Sequence, residues 1–245
     1  YDSLAELLQN ILDAIEEQWK KEGRKSSFKG KVWVKVDLRN NSICVIDNGN
    51  GINVEDWHTF FRPFSTNKID DLMDALNAKR GHKGVGATFL SYAFKGVQVS
   101  SKNGSGKWSG ELLGGRDWIN DPDSFQPPEV RPYSEKDPDF KKMERGTLVR
   151  VFLGSKQRPR RSSSFGGIGK STTKERWAMI LRTRTALGRV SFENKFPFNL
   201  DCKLRIKPRN SNRFSQPYDV ECSFPFLHKH NEPITSGKFL NLKKY

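Results

Sequence analysis

The sequence predicts an α+β fold, with a mixed β-sheet covered on one face by helices and followed by a basic α/β segment. Three observations predict it. Leu4 to Trp19 has the periodicity of a long amphipathic helix, two alternating apolar runs follow as a hairpin, and further runs of strand character recur between glycine-rich turns.

In the first element, Leu4, Leu7, Leu8, Ile11, Leu12 and Ile15 fall on one face at 100° per residue. Glu6, Asn10, Asp13 and Glu17 stack in a narrow stripe on the other side. Carboxylate and amide groups one turn apart on such a stripe can hold an attacking water and a magnesium ion together, although a solvated face explains the same pattern. Lys31 to Leu38 (KVWVKVDL) then alternates Val32, Val34, Val36 and Leu38 against Lys31, Trp33, Lys35 and Asp37, a half-buried strand. The turn RNNS leads into SICVID, a second strand that ends in DNGNGI, Asp47 to Ile52. A short helix is expected from Asn53, with Trp57, Phe60 and Phe61 as its apolar side.

Residues 62–88 are polar and close on GHKGVGATF, and a helix through Ala87 to Phe94 is expected next. Strands are expected at Gly96 to Ser101 and from Lys107, separated by NGSG. Residues 114–145 are rich in Asp and Pro with little periodicity, as in a functional insertion or a mobile segment. GTLVRVFL, from Gly146, is a further strand. The basic, Ser/Gly-rich run from Ser155 reads as a linker. A helix follows over Glu175 to Leu187 with a stop at Gly188, then a strand over Leu200 to Lys207 and another around Tyr218 to Phe226. The expected organisation is thus 1–153, a linker at 154–174, and 175–245.

The net charge of +15 is uneven. Residues 1–153 hold 23 Lys/Arg against 22 Asp/Glu, whereas residues 154–245 hold 20 against 6. A neutral part joined to a strongly basic one suits a nucleic-acid partner. No apolar run approaches the roughly 20 residues that span a bilayer, so a soluble protein is expected. Cys44, Cys202 and Cys222 are too few and too scattered for a disulfide framework, which fits an intracellular location, cytoplasmic or at the nucleus or nucleoid. Cys202 and Cys222 with His228 and His230 lack a C-x-x-C pair, which argues against a zinc site.

Two glycine-bearing segments add chemistry to the stripe on the first helix. In DNGNGI, an aspartate at the end of an apolar strand meets glycines that let backbone approach a ligand, and its carboxylate can accept from an adenine amino group. In GHKGVG, Gly81, Gly84 and Gly86 let successive N–H groups turn toward phosphate at a helix start. Each alone is a weak signal, because tight turns and glycine loops are common.

The ordered set ELLQNILDA (Glu6–Ala14), DNGNGI, FSTNK (Phe64–Lys68), GHKGVG and GTLV (Gly146–Val149) resembles the GHKL ATPase superfamily. That superfamily includes type II topoisomerase ATPase domains, MutL, ninety-kilodalton heat-shock chaperones, sensor histidine kinases and MORC proteins. The layout is most similar to the MutL and MORC type, and the resemblance covers residues 1–153. It implies a two-layer Bergerat-type sandwich, ATP and Mg2+ as cofactors, and a nucleotide-dependent homodimer.

Carried residue by residue, the resemblance makes Glu6 the general base for an attacking water and Asn10 the magnesium ligand, with Asp13 lining the pocket. Asp47 would read the adenine amino group beside Gly49, Gly51 and Ile52, supported by Thr147 through a water. Gly81, His82, Lys83, Gly84, Val85, Gly86, Ala87 and Thr88 would form the lid and its surroundings, and Lys68 would touch phosphate or metal-bound solvent. Glu6 favours hydrolysis over phosphotransfer, because sensor kinases generally lack that glutamate.

SFGGIGKS, Ser164 to Ser171, is a near miss to a P-loop, with Ser164 where its first glycine belongs and no apolar strand before it. Relatives reach the γ-phosphate with a lysine from a second, transducer domain, a role open to Lys170 or to a residue outside this sequence. The expected function is slow, Mg-dependent ATP hydrolysis that times a machine acting on DNA or RNA. The alternatives are an ATP-binding scaffold or sensor without useful turnover, and a chaperone-like ATPase.

Overall fold

A computed structural model describes residues 2–62, 90–154, 173–190 and 198–225. The first helix, α1, runs Asp2–Lys21 and buries Leu4, Leu7, Leu8, Ile11, Leu12 and Ile15, the face its periodicity marks. Each such side chain contributes about 1.5–3 kcal/mol when taken out of water. Lys20 and Lys21 sit in its last turn, where a cation suits the dipole, and Gly23 (φ 77°) and Arg24 (φ 57°) end it in left-handed backbone.

Two strands follow, β1 (Lys29–Asp37) and β2 (Ser42–Asp47), paired antiparallel with Val36 opposite Ile43 and Val32 opposite Asp47. The Asp37 carboxylate accepts from the N–H groups of Arg39 and Asn40, and Asn41 takes positive φ, so the RNNS turn forms as its residue types suggest. A 3-10 turn at Val54–Asp56 leads into α2 (Trp57–Phe61), which buries Phe61 and leaves Trp57 exposed.

Beyond residues 90–92, which are helical, come β3 (Gly96–Asn103), β4 (Gly106–Leu113), β5 (Val130–Pro132) and β6 (Gly146–Phe152). The C-terminal part adds a helix at Lys174–Arg184, capped by Thr173 Oγ1 accepting from Arg176 N–H. It then gives a 3-10 turn at Ala186–Arg189 and two strands, β7 (Asn199–Lys207) and β8 (Tyr218–Asp219).

The eight strands form one sheet in the order β5-β4-β3-β6-β2-β1-β7-β8. All neighbours are antiparallel except β1 and β7, which run parallel with Lys29 opposite Asn199 and Asp37 opposite Lys207. The segment from residue 173 onward therefore extends the sheet that carries β2 and β6. Its Trp177, Leu181, Leu187 and Leu204 share one apolar core with Leu8, Leu12 and Ile15 of α1. Gly30 makes this packing possible, since a Cβ there would lie 2.8 Å from the Ile15 side chain and 2.9 Å from that of Leu200.

The other face of the sheet is covered differently. Residues 114–145, irregular by sequence, supply the edge strand β5, a short helix at Gly115–Asn120 whose Trp118 ring meets Tyr92 on the first face, and a short helix at Pro138–Lys141 on the second. Phe140 closes a small second core over Cys44, Ile46 and Leu148, with Trp33 and Met143 packed against it.

Lys35, placed on the polar side of β1 by alternation, is only 3% exposed there. Its ammonium lies 2.6 Å from Asp137 and 2.6 Å from Asp139, and Arg205 of β7 also pairs with Asp139 at 3.3 Å. Beside it, Arg150 meets Glu135 at 3.4 Å, and Tyr133 hydrogen-bonds to both Glu135 and Ser100. The alternation of β1 thus breaks because an acidic segment covers the face where water was expected. Burial also pushes the Cys44 thiol up to about 12, so that cysteine stays protonated.

Candidate functional site

The residues singled out in the sequence come from α1, the end of β2 and the start of β6. The sheet pairing brings the last two together, since Ile46 lies opposite Leu148. On α1, Glu6 is exposed, while Asn10 and Asp13 are half-buried, and Gln9 donates to Asp13 at 3.1 Å. From Glu6 to Ala14 the helix rises about 12 Å, so the polar stripe runs from one end of the site to the other.

Asp47 closes β2 and is 1% exposed. Its carboxylate accepts from Gly49 N–H at 2.7 Å and from the backbone N–H of Thr147. Burial outweighs those two donors and pushes its pKa up from 3.8 to about 7. Asp47 is thus a desolvated acceptor at the point where β2, β6 and α1 converge.

The turn that follows is fastened residue by residue. Asn48 accepts from Lys31 N–H at 2.6 Å and donates to Lys29 O at 2.9 Å, which copies a strand pairing onto β1. Gly49 packs against α1 so closely that a Cβ would lie 2.7 Å from the Ala14 carbonyl carbon. Asn50 donates its backbone N–H to Ala14 O at 3.1 Å and its side-chain amide to Glu17 at 2.5 Å. Gly51 takes φ 69°, and a Cβ there would meet Lys102 O at 2.7 Å. Ile52 donates to Ser101 Oγ at 2.7 Å and accepts from Trp108 Nε1 at 3.2 Å.

Thr147 is buried beside this turn, with its hydroxyl 3.4 Å from Ser101 Oγ. Gly146 precedes it at φ 125°, and a Cβ there would fall 1.8 Å from Asp47 O. The glycine that opens GTLV is thereby explained, because no side chain fits between β6 and the Asp47 peptide.

The structure therefore gathers Asp47, Gly49, Gly51, Ile52 and Thr147 around one turn, and sets Asp13, Asn10 and Glu6 along the helix that turn rests on. Lys68, Gly81, His82, Lys83, Gly84, Val85, Gly86, Ala87, Thr88 and Lys170 lie outside the described residues.

Two residues at the site carry no signal along the chain. Ser101 and Trp108 hold the two sides of the Ile52 peptide, yet both read as ordinary strand positions. Glu17 belongs to the helix stripe by its spacing from Asp13, but no motif of the resemblance claims it.

A magnesium ion prefers hard oxygen donors and keeps much of its shell for water and phosphate, so it asks for few protein ligands. An amide oxygen at Asn10 and a carboxylate at Glu6, both on the polar face of α1, are donors of that kind.

The family model described as histidine kinase-, DNA gyrase B- and HSP90-like ATPase matches residues 1–157. That match covers more than half of the chain, and the chain belongs to this ATPase family. A search of curated proteins gave no match. The α+β architecture with its eight-stranded mixed sheet agrees with the Bergerat-type sandwich that the resemblance implied. No helix among the described residues is long and apolar enough to cross a membrane.

Proposed function

We propose that this chain binds ATP in the turn after Asp47 and hydrolyses it slowly. The observation that supports this most is the buried Asp47 carboxylate. A carboxylate this desolvated, held by Gly49 and Thr147 N–H groups, is a prepared acceptor for the amino group of an adenine ring. Gly49, Gly51 and Ile52 leave flat backbone beside it for the base, with Asp13 and Thr147 at the rim. The stripe on α1 then leads from the adenine end toward the phosphates.

There Asn10 would hold Mg2+, whose charge offsets that of the phosphate oxygens when it is bound. Glu6, exposed and one turn further, would accept a proton from the attacking water. The Gly81–Gly86 loop would close over the phosphates, with Lys68, His82, Lys83, Val85, Ala87 and Thr88 around it, and closure would favour a homodimer. The basic residues of 154–245 would engage DNA or RNA and couple that cycle to a larger machine.

Glu6→Ala tests the chemistry. Phosphate release should fall at least about 100-fold while ATP still binds, as expected for loss of a general base. Unchanged turnover would show that Glu6 is not the base, and a wild-type chain that binds ATP but releases no phosphate would be a scaffold. The polyanion reading predicts nucleic-acid binding at low salt that weakens steeply as salt rises, with a log–log slope of several units. Absence of binding at low salt would refute it.

A further inference from the structure

We propose that Glu17 is a positioning residue of the nucleotide site, fixing the turn Asp47–Ile52 against α1. This proposal rests on the reading of that turn as the adenine-binding element. Glu17 lies one turn beyond Asp13 on the stripe that begins at Glu6 and Asn10. Its carboxylate accepts the Asn50 side-chain amide at 2.5 Å, while the Asn50 backbone N–H donates to Ala14 O at 3.1 Å. Asn50 is therefore attached to the helix at two points, and two attachments fix the rotation of its peptide planes where one would leave a hinge.

The neighbours on both sides need that rotation fixed. Gly49 sits where a Cβ would lie 2.7 Å from the Ala14 backbone, so a small shift of the turn changes the gap between α1 and the Asp47 acceptor. Gly51 has φ 69° and lies so close to β3 that a Cβ would come within 2.7 Å of Lys102 O, so it too tolerates little change in the position of the turn. Ser101 and Trp108 anchor the far side of the turn at Ile52, and Glu17 is the matching anchor on the helix side. A hydrogen bond to an ionised carboxylate that is partly shielded from water is stronger than a neutral one. One rigid helix would then carry the water-activating and metal-holding groups at one end and set the adenine turn at the other.

The test uses the whole chain and three variants, Glu17→Ala, Glu17→Gln and Asn50→Ala, with the double variant of Glu17→Ala and Asn50→Ala. Glu17→Ala and Asn50→Ala should each weaken ATP binding about tenfold, and the double variant no further, because both remove the same bond. Glu17→Gln keeps an acceptor oxygen and should recover most of the affinity. The effect should appear in KM for ATP, with kcat kept within about twofold, since the group does not touch the reacting atoms. Without nucleotide, amide exchange over residues 48–52 should quicken in Glu17→Ala while exchange in β1 and β6 stays as it was.

Additive losses, unchanged exchange over residues 48–52, or a fall in kcat with KM unaltered would overturn the assignment. A wild-type chain that binds no ATP would instead refute the nucleotide reading, and the exchange comparison, which needs no ligand, would still decide whether Glu17 holds the turn.

Discussion

Asp47→Asn isolates the cost of keeping a carboxylate in this site. The folded pKa of Asp47 is raised from 3.8 to about 7 by burial. Below the unfolded value both states hold the proton and there is no penalty. Above it the unfolded chain ionises first, so the folded state loses relative stability until pH passes the folded value. In full, that displacement corresponds to roughly 4 kcal/mol, of which more than half develops between about pH 5 and pH 8. Asparagine has the same shape, keeps an acceptor for Gly49 N–H and does not titrate.

Urea unfolding of both proteins across that range should show Asp47→Asn gaining on the wild type by roughly 2–3 kcal/mol as pH rises. Using the difference between the two proteins cancels the histidines and the other carboxylates. A difference that stays flat from pH 5 to pH 8 would mean that Asp47 titrates normally and the burial argument fails. The same proton links to the ligand. An adenine amino group donates best to the ionised form, so ATP affinity should rise with pH up to about 7 and level off above it.

The remaining predictions concern packing. Gly146→Ala must place a Cβ on Asp47 O and adopt φ 125°, so it should cost about 3 kcal/mol or more and displace the site, read as a lower melting temperature and lost ATP binding. Retention of both would show that β6 can move away from Asp47 at little cost. Lys35→Met removes the buried cation between Asp137 and Asp139 and leaves two half-buried carboxylates to Arg205 and neighbouring N–H groups, which should cost about 3 kcal/mol in urea unfolding at neutral pH. A stability equal to wild type would show that the acidic segment lifts off the sheet without penalty.

Local chemistry was legible in the sequence where it is also local in space. The apolar face of α1, the β1–β2 hairpin and the start of β6 follow from periodicity and turn residues within short windows. Asp47, Gly49, Gly51 and Thr147 stood out only through the ordered motifs, because their contacts reach Ala14, Lys102 and one another across long stretches of chain. Lys35 was misplaced because its partners stand about a hundred residues away, at Asp137 and Asp139, in a stretch without periodicity. The pairing of β7 with β1 was out of reach for the same reason, since nothing near Leu200 reveals a parallel neighbour 170 residues earlier. Ser101 and Trp108 escaped because one hydroxyl and one indole N–H, aimed at a single peptide, leave no pattern along the chain.

The parallel seam between β1 and β7 has a consequence for how this protein can be handled as a fragment. The family match ends at residue 157, but a chain cut there would lack β7. β1 would then present nine residues of unpaired backbone, with Val32, Val34 and Val36 beneath, as an open edge of the hairpin that carries Asp47. Such an edge invites pairing with a second chain, and association through it would imitate a nucleotide-driven dimer while needing no nucleotide. The strand that closes this edge lies beyond the residues that the family model matches.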